Sequence, residues 1–265
     1  MSGRLALEDV AFAYPGGGTV LDGIALEAVP GETVVLVGAN GSGKSTLLRL
    51  AAGLRAPDRG SVRLDGEDLH VMDPRERARA VAFLPQDVQP VHALTAREVV
   101  ALGRHPHRAS AWSGEGASDR EAIDTALALC DVSGLQERSF DTLSGGERQR
   151  VLIAGAVAQA GRVLILDEPT AALDLPHQIA VFDLLRERAR RGVAVLLATH
   201  DLNLAAAFAD RVVLLDGGRL LAQGSPRKVL RDDVLGTVLG SGTWIGPHPV
   251  TGDPCVLPLP REETP

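Results

Sequence analysis

The chain predicts an α/β fold in which a mainly parallel sheet is covered by helices on both faces. Three observations carry that expectation. Short apolar runs at 33–37, 163–166 and 193–198 have the length and composition of strands buried on both sides. Segments with helical spacing alternate with these runs. Glycines or carboxylates follow the runs directly, where the loops of such a sheet hold ligands.

Residues 1–30 alternate apolar and polar positions around a turn at Gly16, Gly17 and Gly18. Leu5, Leu7, Val10 and Phe12, then Val20, Leu21, Ile24 and Leu26, read as antiparallel strands. Strand 33–37, a glycine-rich loop and a helical pattern over 46–52 follow. Residues 60–70 read as a hairpin and 81–84 as a short strand ending at Pro85. Helical spacing then dominates from about Thr95 to Ala160, in segments 98–103, 119–131 and 145–160. Strand 163–166, helix 177–191, strand 193–198, helix 202–209 and strand 212–215 complete the alternation, before a turn at Gly217 and Gly218. Residues 241–265 contain six prolines and read as an extended or irregular tail.

A length of 265 residues suits one large domain or two small ones. With 34 acidic against 27 basic residues, a formal charge of −7 gives no footprint for wrapping nucleic acid, so no nucleic-acid partner is expected. Cys130 and Cys255 lie far apart, form no metal-type pair and fit a reducing compartment. The opening residues lack the pattern of a secretory leader. The apolar runs are far shorter than the roughly 20 residues of a membrane span. A protein of this kind working at a membrane would have to dock on something that spans it.

Gly38, Ala39, Asn40, Gly41, Ser42, Gly43, Lys44 and Ser45 match G-x-x-x-x-G-K-S/T between a strand and a helix, the context that gives this motif its meaning. Glycines let the backbone curl until several N–H groups point at phosphate oxygens, and the helix start adds its positive dipole end. Lys44 and Lys228 are the only lysines in a chain that otherwise uses arginine. Lys44 is a flexible point charge for β and γ phosphates, and Ser45 offers a hydroxyl to Mg²⁺. Asp167 and Glu168 end the apolar run at 163–166. There, Asp167 would support Mg²⁺ and Glu168 would polarise an attacking water as general base.

Leu143, Ser144, Gly145, Gly146, Glu147, Arg148 and Gln149 resemble the signature of the ATP-binding cassette (ABC) family. Ser144 is a good N-cap, and Ser-Gly-Gly opening a helix makes a second anion-binding terminus. Four further residues resemble the family's pattern in its order. Tyr14, the only tyrosine, resembles the aromatic that stacks on adenine, and Gln86 the glutamine that joins the metal shell and senses the γ-phosphate. Asp174 resembles the aspartate of the dimer contact, and His200 the switch histidine at the γ-phosphate.

The resemblance implies a P-loop NTPase core of the RecA-like type, with an antiparallel β subdomain and an inserted helical subdomain at about 90–160. That ABC ATPase domain would span 1–240, followed by the tail 241–265. ATP would be held by Tyr14, the loop through Thr46 and Asp174, with Ser144, Gly145 and Gly146 contributed by the partner of a head-to-tail homodimer. Mg²⁺ would sit at Ser45, Gln86 and Asp167, and Glu168, Gln86 and His200 would serve catalysis. The chain lacks the long coiled-coil insertion of DNA-maintenance cassettes, the second cassette of translation factors and the membrane helices of fused exporters. A separate subunit for an integral-membrane permease remains, placed at the cytoplasmic face of a bacterial-type cell membrane and served indirectly by a substrate-binding protein. Segments 99–107, 174–178 and 248–252 are similar to those of iron-siderophore, haem and vitamin B12 importers. His105, His107 and His248 within them are not read as metal ligands. The alternatives are an ATPase of another importer or of an exporter, or a nucleotide-binding regulator.

Overall fold

The computed structural model describes residues 3–88, 94–108, 114–239 and 243–259. Alternating burial makes a hairpin of β1 (Leu5–Ala13) and β2 (Thr19–Ala28), and β3 (Thr33–Val37) is buried throughout. After α1 (Lys44–Ala51) come β4 (Arg59–Leu64), β5 (Glu67–Asp68), α2 (Pro74–Ala80) and β6 (Val81–Leu84). Three helices follow, α3 (Ala96–Leu102), α4 (Ala117–Leu129) and α5 (Gly145–Ala158). Then come β7 (Val163–Asp167), α6 (Leu175–Arg190), β8 (Ala194–Ala198), α7 (Leu202–Phe208), β9 (Arg211–Asp216) and β10 (Arg219–Gly224). Two further helices, α8 (Pro226–Val229) and α9 (Asp232–Leu239), precede β11 (Thr243–Pro247) and β12 (Pro254–Pro258).

The central sheet has the order β10-β9-β3-β8-β7-β6, parallel except for the antiparallel edge strand β10. Side chains alternate across its faces, as the two-residue period requires. Val34, Leu36, Ile165, Leu196 and Val213 pack with α1 and the antiparallel sheet β2-β1-β4-β5. Val35, Val37, Leu166, Leu197 and Leu214 pack with residues of α3, α5, α6 and α7. The two cores hold the carboxyl ends of β3, β6, β7 and β8 along one edge.

Helices α2, α8 and α9, strand β10 and the tail hairpin lie outside the sequence expectation. The α2 helix was not expected, although Asp73 caps it by accepting from the N–H groups of Arg75 and Glu76, with Pro74 in its first turn. Its composition is mostly arginine and alanine, so no apolar stripe advertises it. Strand β10 was not expected either; it follows the Gly217–Gly218 turn as an exposed edge. The described part of the tail is largely extended, in line with one of the two sequence readings of it. Residues 243–258 form the hairpin β11–β12, whose Ile245 and Val256 pack on the main core. Its prolines stand at strand ends, where a missing N–H costs little.

Arg104 is buried at the end of α3, where its Nε donates to Asp119 Oδ1 at 3.0 Å and its Nη1 to the Ala158 carbonyl at 2.8 Å. One side chain thereby ties α3, α4 and α5 together. Replacing Arg104 by alanine strands a buried carboxylate and is expected to lower the unfolding free energy by about 3–5 kcal/mol in urea titration. An unchanged midpoint would remove the pair from any structural role. The Arg104 guanidinium holds the Asp119 carboxyl below its usual range. The associated stability is present above the ordinary carboxylate range and lost as pH falls through the depressed value.

Candidate nucleotide site

The loop after β3 is shaped by what cannot carry a side chain. Gly38 has φ +153°, and a Cβ there would lie 2.1 Å from the Leu215 carbonyl oxygen. Gly43 has φ +102°, caps α1, and would place a Cβ 2.7 Å from Leu21 Cδ2. Ala39, Asn40, Gly41 and Ser42 form the curl between them. Lys44 is buried at the helix start, and its Nζ donates to the carbonyls of Gly38 (2.8 Å) and Ala39 (3.1 Å). Burial draws its ammonium below the ordinary lysine value, while Glu168 and Asp167 oppose the shift.

An open cleft of about 470 Å³ lies over this loop. Asn40, Gly41, Gly43, Lys44, Ser45 and Thr46 line it from the loop and α1, Gln86 from beyond β6, and Glu168 from beyond β7. Val20 also lines it, a residue that sequence reasoning placed only in a strand.

Asp167 ends β7 at 1% exposure, and neither carboxylate oxygen accepts a hydrogen bond. The Ser45 hydroxyl lies near enough to oppose the resulting shift but falls short of hydrogen-bond geometry. Burial pushes the Asp167 carboxyl above its usual value, and nearby Arg49 and Lys44 only partly offset it. A buried carboxylate with two unused oxygens beside a serine hydroxyl is a donor set that suits a hard cation such as Mg²⁺. Glu168, next along, has φ +49°, a backbone conformation rare for a non-glycine residue. Its N–H donates to the Ala198 carbonyl at 3.0 Å, fixing the loop to the end of β8. His200 Nδ1 lies 3.0 Å from Glu168 Oε2, and the imidazole is otherwise largely exposed.

Tyr14 reaches the same region, with its hydroxyl 3.2 Å from Thr46 Oγ1. The Arg55 guanidinium carbon sits 5.2 Å from its ring centroid, and Phe12 meets the ring edge-on. The phenol is held below its usual value, chiefly by the bond to Thr46.

Ser144 caps α5 in a reciprocal capping box: it accepts from the Glu147 N–H at 3.3 Å, and its own N–H donates to Glu147 Oε2 at 2.8 Å. A Cβ on Gly145 would meet nothing within 4 Å, so this helix start is open. Ser144, Gly145 and Gly146 are not among the residues lining the cleft. Asp174 is exposed and caps α6, accepting from the His177 N–H and pairing with its imidazole. Gln149, the last residue of the signature, bonds outside it. Its Nε2 donates to the Pro169 carbonyl at 2.9 Å and ties α5 to the loop after Glu168. Within segment 99–107, Arg104 and His107 have internal partners: Arg104 is bonded to Asp119 and Ala158, His107 Nε2 lies 2.8 Å from the Gln159 carbonyl, and the Pro106 carbonyl accepts from Arg75 and Arg79 of α2. Among the described residues no cluster of histidine, cysteine or carboxylate suits a metal bound by protein ligands alone.

A phosphate loop at the end of one parallel strand and adjacent carboxylates at the end of another define a nucleotide-hydrolysing P-loop protein. Comparison with known proteins narrows the class. The family profile described as ABC transporter matches residues 21–171. The hemin import ATP-binding protein HmuV of Nocardia farcinica is 48% identical over 91% of this chain and 82% of its own length. The cobalamin import ATP-binding protein BtuD of Halobacterium salinarum is 41% identical over 92% of this chain and 61% of its own. A structure described as a metal-chelate type ABC transporter facing inward superposes with TM-score 0.82 at 27% identity, covering 98% of both chains. A dimeric ATP-binding cassette in a post-hydrolysis state with ADP and Pi gives 0.75 at 28% identity, covering 84% of this chain and 99% of that one. The chain belongs to the ABC transporter family, and it is an ATP-binding ATPase.

Because burial raises the Asp167 value, its ionisation opposes folding as pH rises above the ordinary carboxylate range. Asp167→Asn is therefore expected to raise the urea midpoint of the nucleotide-free protein at pH 7, with the advantage vanishing near pH 3. A midpoint lowered at both values would show that the carboxylate is satisfied in solution.

Proposed function

We propose that this chain is the ATPase subunit of an importer that carries an iron chelate, with haem the first candidate cargo. The similarity that supports this reading is 48% identity to a hemin import ATP-binding protein over nearly the whole chain. A cobalamin-type cargo is the second reading, favoured by the 41% identity to a cobalamin import protein. No helix among the described residues is long and apolar enough to cross a membrane. Transport would use a separate integral-membrane permease, on which this chain docks at the cytoplasmic face, fed by a substrate-binding protein. Residues 1–240 would form the ATPase domain, with 90–160 as its helical subdomain.

In this reading the N–H groups of residues 38–46 and the start of α1 hold the phosphates, and Lys44 exchanges its two loop carbonyls for phosphate oxygens. Tyr14 offers a ring to adenine. Ser45, Gln86 and Asp167 would hold Mg²⁺, which supplies charge neutralisation at the phosphates when bound. Glu168 takes the proton of the attacking water, and His200, bonded to it, orients the carboxylate and faces the γ-phosphate. Positioning and charge stabilisation carry most of phosphoryl transfer. Ser144, Gly145 and Gly146 lie away from the cleft of their own chain, with an open helix start. They would close the site of a second copy, near the Asp174 loop, in a homodimer.

The observation that carries the hydrolytic reading is Glu168: a left-handed carboxylate lining the cleft and bonded to His200. Glu168→Gln is expected to lower phosphate release with Mg·ATP by about 10²–10⁴-fold while nucleotide still binds. Turnover close to wild type would overturn the assignment. Cargo is tested by reconstitution with the cognate permease, where ATP-dependent uptake of haem, but not of cobalamin, is expected.

A further inference from the structure

The C-terminal hairpin is built onto the helix that follows the histidine at the site. The Val256 N–H of β12 donates to Asn203 Oδ1 at 2.8 Å, and Asn203 Nδ2 donates to the Val256 carbonyl at 3.1 Å. The Asn203 amide thus takes the place of a neighbouring strand's peptide group, meeting a donor and an acceptor of one residue together. Ile245 and Val256, cross-strand partners, bury against the core, and Arg227 pairs with Asp253 at the hairpin turn.

Asn203 also belongs to a chain of short local bonds that leads back to His200. The Asn203 N–H donates to Asp201 Oδ1 at 2.9 Å, and the Asp201 N–H to Thr199 Oγ1 at 3.1 Å. Thr199 is buried, and its N–H donates to the Leu36 carbonyl at 3.1 Å, next to the phosphate loop's strand end. His200 sits inside this run, and among the described residues only the Glu168 bond holds its side chain. Its backbone is therefore held from two sides, by β3 through Thr199 and by β12 through Asn203.

We propose that Asn203 is a positioning residue for hydrolysis, through which the C-terminal hairpin anchors α7 and keeps His200 against Glu168. The proposal rests on the hydrolytic reading of Glu168 and His200 given above. It gives the hairpin a task in the reaction although the hairpin contributes no atom to the cleft. A small misplacement from a distant substitution costs as much as 10²-fold in rate, because the reacting geometry is sharply defined.

The test is a two-residue cycle in phosphate release, with the full chain and with its permease where turnover needs it. Asn203→Ala removes the grip from α7. Val256→Pro removes the N–H that Asn203 accepts; because that N–H faces Asn203, the β11–β12 ladder does not use it. Each is expected to lower kcat about tenfold with KM for ATP within about twofold, and the double variant to be no worse than either single. Equal kcat in Asn203→Ala and wild type, a loss confined to KM, or losses that multiply would each overturn the proposal. Glu168→Gln in the same assay separates the two readings. If it is inactive while Asn203→Ala is normal, only the hairpin's role fails; if it turns over normally, the hydrolytic assignment itself fails. Amide hydrogen exchange adds a readout independent of turnover. Asn203→Ala should speed exchange over residues 199–206 and at Val256, whose N–H loses its acceptor, and unchanged exchange over 199–206 would show that the anchor is not one.

Discussion

The parallel register of β3, β8, β7 and β6 is the constraint on which everything else here depends. Leu36 pairs with Ala198, Ala198 with Asp167, and Leu84 with Leu166. With four strands aligned in this way, the loop after β3, the carboxylates after β7, the histidine after β8 and the glutamine after β6 share one edge. The register is enforced from both faces, because a slip by one residue would carry every inward side chain to the wrong core. The Glu168 N–H bond to the Ala198 carbonyl and the Thr199 N–H bond to the Leu36 carbonyl extend the same pairing beyond the strands.

At that edge the protein concentrates unfavourable features rather than stabilising ones. Asp167 is buried without a hydrogen bond, Glu168 sits in the left-handed region, and Lys44 is desolvated against loop carbonyls. Each feature is costly in the empty protein, and together they suit a ligand that brings phosphate oxygens and a cation. Such strain persists where the surrounding structure over-determines it, here through two cores and the backbone bonds between strand ends.

Single polar side chains join the regions around this edge. Arg104 locks three helices through Asp119 and Ala158, Gln149 binds the carbonyl of Pro169, and Gln159 reaches the carbonyl of Val81. Asn203 does the same for the tail. Side-chain amides and guanidinium groups suit this task because they satisfy backbone groups that no strand or helix partner reaches.

Much of this was legible in the sequence. The runs at 34–37 and 163–166 are apolar throughout, so burial on both faces was readable without coordinates. The phosphate-loop motif and the capping pattern at Ser144 are legible from neighbouring residues, although the close approaches that require Gly38 and Gly43 come from Leu215 and Leu21. The α2 helix was missed although Asp73 and Pro74 mark its start, because its stabilisation comes from capping and not from an apolar stripe. Strand β10 was missed although its pairing with β9 across the Gly217–Gly218 turn is local, because its half-exposed sequence carries no buried run. The tail hairpin was missed because what holds it is distant, β12 being bound by Asn203 more than fifty residues away in the chain. By itself, then, the sequence determined the buried strands, the phosphate-loop motif and the helix start at Ser144, since period, composition and caps act within a few residues. Only the tertiary structure decided which of them meet. Strand order, the bond from His200 to Glu168 and the desolvation of Asp167 arise from packing between segments distant along the chain, which no local pattern encodes.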